Sequence, residues 1–288
     1  MTTRAQWVAG ARPRTLPAAV APVLVGTGAA VEPSWVRALL ALVVALALQV
    51  GVNYANDYSD GVRGTDTDRV GPLRLVGSGV APPAAVKRAA LLAFGIAAVA
   101  GVVLSSLSSP WLVLVGVACI AAAWAYTGTS RPYGYRGLGE VSVFVFFGLV
   151  AVLGTAYVQG GRVTVAAVLG GVCMGALSCA VLVVNNLRDL PTDGPAGKRT
   201  LAVRLGDAGT RGLYRGLVTL GLLVPLVVAG VERSGWPLLG LLGAWVLAPP
   251  LGQVTAGAAG RELVPVLGAT GKGLLVTGAG LAVGLALA

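Results

Sequence analysis

The stretch WVRALLALVVALALQVGVNYANDYSDGVRGTDTDRVGPLR (Trp35–Arg74) decides how this chain is read. Its first half is a nearly unbroken apolar run, about the length a helix needs to cross a bilayer. Its second half, Asn53–Arg74, gathers Asp57, Asp60, Asp66 and Asp68, four of the seven aspartates in the chain. A second acidic stretch, VVNNLRDLPTDGPAGKRT (Val183–Thr200), holds Asp189 and Asp193, and the remaining aspartate, Asp207, follows just downstream. Acids this scarce, concentrated at two places, imply a task, and holding divalent cations is the natural one.

Composition excludes a soluble domain. Of 288 residues, 56% are hydrophobic and 11% charged, with a mean hydropathy of +0.83, so this is an all-α integral membrane protein. The net charge of +10 would point to nucleic acid in a soluble domain. Here the basic residues sit in loops between apolar runs, and no nucleic acid is expected. The 43 glycines fall mostly inside those runs, as suits close packing of membrane helices. Cys119, Cys173 and Cys179 lie in apolar segments without a CxxC pair and read as small buried residues. There is no histidine, which excludes His-based triads, haem ligation and His-rich metal sites.

Nine transmembrane helices are expected, near 15–31, 35–55, 84–104, 111–127, 139–158, 163–184, 212–230, 235–255 and 270–287. The basic N-terminal segment lacks a well-placed cleavage site and reads as the start of the first span. Arginines and lysines alternate between loops. One side carries Arg12, Arg63, Arg88, Arg136, Arg199 and their neighbours, and the other only Arg37, Arg162 and Arg233. By the positive-inside rule the N-terminus is cytoplasmic, the C-terminus outside, and all seven aspartates lie on the cytoplasmic face of a cell membrane. The loops on the opposite side are short connectors. The chain reads as one domain, 1–288, and the repeated Asn-x-x-x-Asp (Asn56 to Asp60, Asn185 to Asp189) points to two related halves, about 1–137 and 138–288, around a central cavity.

If the second span stays helical to its end, Asn53, Asn56, Asp57 and Asp60 share one face. Asn185, Asn186, Asp189 and Asp193 cluster likewise beyond the sixth span. Both sets lie at helix C-termini, where the macrodipole disfavours negative charge, so the carboxylates need cations. Hard oxygen donors suit Mg²⁺, which is commonly shared between carboxylates and substrate phosphates. With Arg69, Arg136, Arg188, Lys198 and Arg199 nearby, two facing clusters would cradle a diphosphate bridged by Mg²⁺, with two ions expected. At the mouth of a helical bundle in lipid, such a site fits ionisation of an allylic diphosphate whose tail lies in the membrane. Tyr58, Tyr126 and Tyr133 flank the loops, where their rings could shelter a carbocation or anchor the chain at the interface.

The motifs NDYSDGVRGTDTDRVGPLR and NNLRDLPTDGPAGKRTLAVRLG closely resemble the paired aspartate motifs of the UbiA superfamily of intramembrane aromatic prenyltransferases. RPRTLPAAVAPVLVGT (Arg12–Thr27), RPYGYRGLGEVSVFVFFG (Arg131–Gly148) and GKRTLAVRLG (Gly197–Gly206) resemble its menaquinone branch, and the resemblance weakens after Tyr214. It implies nine helices around a central cavity. It also implies transfer of a polyprenyl chain from its diphosphate to 1,4-dihydroxy-2-naphthoate, with loss of CO2 and diphosphate, giving demethylmenaquinone. Asn56, Asp57 and Asp60 match the first metal motif, and Asp189 and Asp193 the second. Gly64 stands where the broader superfamily pattern has an acid, with Asp66 two positions later. Arg69, Arg136 and Lys198 match positions that hold diphosphate or lie beside the acceptor, and Asn185, Asn186 and Arg188 belong to the second motif.

With no histidine as base, Asp66, Asp68 or a water would deprotonate the acceptor, and Arg136 would face its carboxylate. Other readings stay open. A UbiA-type enzyme could use another aromatic acceptor such as 4-hydroxybenzoate. Asp57-Tyr-Ser-Asp60-Gly61 starts like the metal motif of CDP-alcohol phosphotransferases, but Val62-Arg63 replaces the expected Ala-Arg pair. A divalent cation transporter would place ionisable ligands near the bilayer midplane, and the middles of these spans carry no charge. Oligomeric state, prenyl chain length and the choice of base leave no trace in the sequence.

Overall fold

A computed structural model describes residues 2–65, 71 and 73–288. The expectations for Asp66, Asp68 and Arg69 lie outside the described residues. After a short α1 (Arg4–Gly10) and a 3₁₀ turn, the helices are α2 (Pro17–Gly28), α3 (Trp35–Arg63), α4 (Pro83–Ser106) and α5 (Leu112–Ala125). The second half holds α6 (Gly139–Val143), continued through a π-helical segment (Phe144–Val150) into α7 (Ala151–Gly160). It ends with α8 (Val165–Asp193), α9 (Leu201–Glu232), α10 (Gly243–Thr255) and α11 (Leu263–Leu287).

Among the described residues, seven helical stretches are long and apolar enough to cross a membrane, and two shorter apolar helices, α2 and α5, occupy the places of the first and fourth expected spans. The expected 15–31 shrinks to 12 helical residues, about 18 Å of rise. A left-handed Arg12, a 3₁₀ turn over Pro13–Thr15 and Pro17 at the first helical position delay its start. Elsewhere the sequence underestimates length. Both motif-bearing helices, α3 and α8, run for 29 residues and carry their Asn-x-x-x-Asp segments as helix beyond the expected span ends at 55 and 184. Glycine at 64, with φ 70°, ends α3 in the left-handed conformation that a side chain resists. The seventh expected span likewise starts early, at Leu201, capped by the Thr200 hydroxyl accepting from Val203 N–H.

Helix α8 is the axis of the molecule. In its most apolar window 78% of the residues are buried, against 22% for α3, and it packs on α9, α11, α2, α7 and the π segment. Close approach depends on small residues. A Cβ on Gly148 would stand 2.5 Å from Gly175 Cα, so the π segment and α8 touch backbone to backbone. Large apolar side chains point outward, Trp35 at 79% and Trp245 at 84% exposure, and a surface of this kind requires lipid. The fold is therefore that of a multi-pass membrane protein.

Candidate active site

Helices α3 and α8 deliver their acidic ends to the same end of the bundle, where a cavity of about 420 Å³ opens between them. Asn53, Asn56 and Asp60 line it from α3, and Asn185, Asn186, Asp189 and Asp193 from α8. Arg12, Arg74, Lys198, Tyr126, Tyr133 and Tyr135 add to the same wall. Beyond this polar mouth the lining turns apolar and follows α5 from Ala123 back to Leu112, reaching Leu104 of α4 and Val158 of α7 at the other end of the bundle.

The two motifs meet through Lys198. Gly197, at φ 77°, turns the chain after α8, and the Lys198 amide donates to the Asp193 carbonyl at 2.9 Å. That turn carries the ammonium to 3.2 Å from Asp60 Oδ2 and 5.1 Å from the centre of the Tyr135 ring. Tyr135 is clasped from another side by Arg63, 5.6 Å from the ring centre, and its hydroxyl donates to Asp60 Oδ1 at 2.5 Å. Burial and, second, the Asp60 charge push the Tyr135 phenol well above its ordinary range, so it stays a donor. Arg74 approaches Asp60 at 4.0 Å.

On α8, Arg188 clasps Asp189 with two hydrogen bonds of 2.8 Å and reaches Asn185 Oδ1 at 2.8 Å. It lies behind the cavity wall and sets the orientation of two residues that are on it. Asn56 Oδ1 accepts from the Thr127 hydroxyl at 2.7 Å. Asn53 belongs to a polar knot in which its amide donates to the Ala11 carbonyl and Thr15 Oγ1, while Gln49 donates to Asn53 Oδ1. Tyr126 and Tyr133 meet edge to face at 5.4 Å beside the cavity. Tyr133 donates to the Ala122 carbonyl at 2.8 Å, and burial raises its pKa.

Besides Arg188, three more expected site residues stand off the cavity wall. Asp57, fully buried, is absent from the cavity wall. Its two oxygens accept from the backbone amides of Leu75 and Val76 at 2.8 and 3.0 Å, so it anchors the chain that returns after the first motif. Tyr58 stacks on Trp124 at 6.4 Å under the Lys87 ammonium, on the side of α3 that faces α4 and α5. Arg136 is exposed, and its carbonyl accepts from Arg204. It is not on the cavity wall, where the expected partner of the acceptor carboxylate would stand. Sequence reasoning also passed over Gln49, Thr15, Arg12 and Glu140. Gln49 was findable, since it lies four residues before Asn53 on the same helical face inside an apolar run.

The donor set is oxygen only, carboxylates and amides, which suits Mg²⁺. Among the described residues no three acids converge closely enough to cage an ion alone. Carboxylates facing one another across a gap, with lysine and arginine among them, suit ions that share their coordination with a substrate's phosphates.

A helical membrane protein whose acidic mouth opens onto a long apolar cavity is built to hold a charged head and a lipid tail together. The chain belongs to the UbiA prenyltransferase family, whose profile matches residues 18–262. It is 57% identical over 279 residues to the 1,4-dihydroxy-2-naphthoate octaprenyltransferase of Mycobacterium tuberculosis, covering 96% of this chain and 95% of that one. Among solved structures it resembles an apo UbiA homologue from Aeropyrum pernix, with a TM-score of 0.71 at 16% identity over 93% of this chain and 95% of that one. It also resembles a UbiA homologue from Archaeoglobus fulgidus bound to DMAPP and Mg²⁺, with a TM-score of 0.66 at 13% identity over 96% and 99%.

Proposed function

We propose that this chain transfers a polyprenyl group from polyprenyl diphosphate to 1,4-dihydroxy-2-naphthoate, releasing CO2 and diphosphate and giving demethylmenaquinol, the reduced form of demethylmenaquinone. The observation that carries the reading is one cavity whose mouth joins Asp60 of α3 to Asp189 and Asp193 of α8 and whose remaining wall is apolar along most of α5. Near-full-length identity of 57% to a named naphthoate prenyltransferase supports the acceptor. Asp60, Asp189 and Asp193, with Asn56 beside them, would hold Mg²⁺, two ions in our reading, which when bound supplies positive charge to the departing diphosphate.

The chain's own groups do the rest. Lys198 leaves Asp60 for the diphosphate oxygens, with Arg74 at the same wall. Arg188 keeps Asp189 and Asn185 facing the cavity. The Tyr126 and Tyr133 rings cover the allylic carbon once its bond to oxygen weakens. The naphthoate ring carbon that bears the carboxylate attacks that carbon, and loss of CO2 restores aromaticity without a proton leaving that position. We place the site on the cytoplasmic side and read 1–137 and 138–288 as related halves, each contributing one 29-residue motif helix.

The test is turnover by purified protein supplied with Mg²⁺, a polyprenyl diphosphate and the naphthoate, reading prenylated quinol and CO2 together. Stoichiometric release of both is expected. Prenylation without CO2 would reassign the acceptor to a 4-hydroxybenzoate type, and normal turnover by Asp60→Ala or Asp189→Ala would remove the metal assignment.

A further inference from the structure

Glu140 is a buried acid for which the reaction above has no use. It opens the helical stretch Gly139–Gly160, is 8% exposed, and has no salt-bridge partner among the described residues. Its Oε1 accepts from Asn186 Nδ2 at 3.0 Å, while its Oε2 is buried with no hydrogen-bond partner. Two contacts hold its backbone in register with the cavity. The Cys179 thiol donates to the Glu140 carbonyl, and the Tyr126 hydroxyl sits so close to Gly139 that a Cβ there would meet it at 3.0 Å. A glutamine or serine could also satisfy one amide of α8. A carboxylate leaves a second oxygen unsatisfied in a dry site, a cost that local packing alone does not explain.

What a carboxylate does and a glutamine does not is fix the sense of the amide. The Glu140 oxygen that meets Asn186 accepts, so Asn186 turns its NH2 group toward it and its carbonyl oxygen away. Asn186 is one of the residues on the cavity wall. We infer that Glu140 is a positioning residue that orients Asn186 so that its carbonyl oxygen accepts a hydrogen bond from a hydroxyl of the aromatic acceptor. This rests on the proposed prenyl transfer to a dihydroxylated aromatic and names the element that selects for the hydroxyl.

The experiment uses purified full-length protein in detergent or nanodiscs and measures KM separately for 1,4-dihydroxy-2-naphthoate and for polyprenyl diphosphate. Glu140→Gln lets the new amide donate to Asn186 and flip it. The expected result is an acceptor KM raised on the order of 10- to 100-fold, as for a lost hydrogen bond at a buried polar site, with the diphosphate KM unmoved. Adding Asn186→Asp to Glu140→Gln restores an acceptor oxygen on both sides of the pair, and recovery of most of the acceptor KM is expected. A merely structural role would depress both substrates alike and would not be rescued by the double variant. Either an unmoved acceptor KM in Glu140→Gln or absence of rescue overturns the positioning role. The unaltered protein is assayed first. No naphthoate prenylation there removes the functional reading itself, an outcome distinct from normal turnover followed by indifference to Glu140→Gln.

Discussion

Asp57 and Asp60 occupy one motif and do different work. At about 100° per residue, Asp57 lies some 60° around α3 from Asp60 and 100° from Asn56. That rotation carries it off the cavity and onto the amides of Leu75 and Val76. Asp57→Asn would set an NH2 against one of those donors, and a loss of about 1–3 kcal/mol is expected, read as a lower unfolding temperature in detergent with the Mg²⁺ dependence of turnover unchanged. Asp60→Asn should move the Mg²⁺ titration and lower kcat on the order of 100-fold. Equal displacement of the Mg²⁺ midpoint by both variants would make Asp57 a ligand after all. Tyr135 gives a pH prediction. Its ordinary value of 10.0 is raised by burial and by Asp60, so the phenol keeps its proton, and its bond to Asp60, as pH rises through 7 to 10. The pH–rate profiles of the unaltered protein and of Tyr135→Phe should therefore share one shape over that range, and a basic limb lost in the variant would contradict the assignment.

Among the elements, the π segment and the bent α9 carry the strictest constraints. A Cβ on Gly148 would meet Gly175 Cα at 2.5 Å and Gly171 O at 2.6 Å, backbone atoms that cannot rotate aside. Gly148→Ala is expected to destabilise by about 1–3 kcal/mol and to disturb turnover, because neighbouring Phe146 and Phe147 line the cavity. Gly154, one turn beyond the segment, faces open space, and Gly154→Ala should be within about 0.5 kcal/mol of neutral. Helix α9 is bent at Gly206, where φ 68° and ψ −177° admit essentially glycine alone, and Gly206→Ala should cost about 1–3 kcal/mol in the same melting assay. The π segment has no signature in FVFFGLV, whose apolar residues suit an α-helix as well. Gly148 and Gly175 lie 27 residues apart in sequence, so their mutual contact is invisible to local periodicity.

At the scale of the whole molecule, the loop charges predict sidedness. A cysteine introduced at Ser34 should react with a membrane-impermeant maleimide added to intact cells, and one at Gly257 should react only after permeabilisation; the reverse pattern would invert the topology. Membrane class, helical architecture, both aspartate motifs and the family itself were legible in the chain, because apolar run length and the crowding of scarce acids are local properties that survive without a fold. The span length at α2 was not, since proline and a 3₁₀ turn decide where that apolar run becomes helix. Nor could the sequence distribute roles within the motifs. That Asp60 meets Lys198, that Asp57 leaves the cavity for Leu75 and Val76, that Arg136 points away and that Glu140 grips Asn186 are contacts between residues 18 to 138 positions apart. Only the packing of α3, α6 and α8 around one cavity selects which face of each helix those residues present, and so which carboxylate faces the cavity and which is consumed in holding the fold.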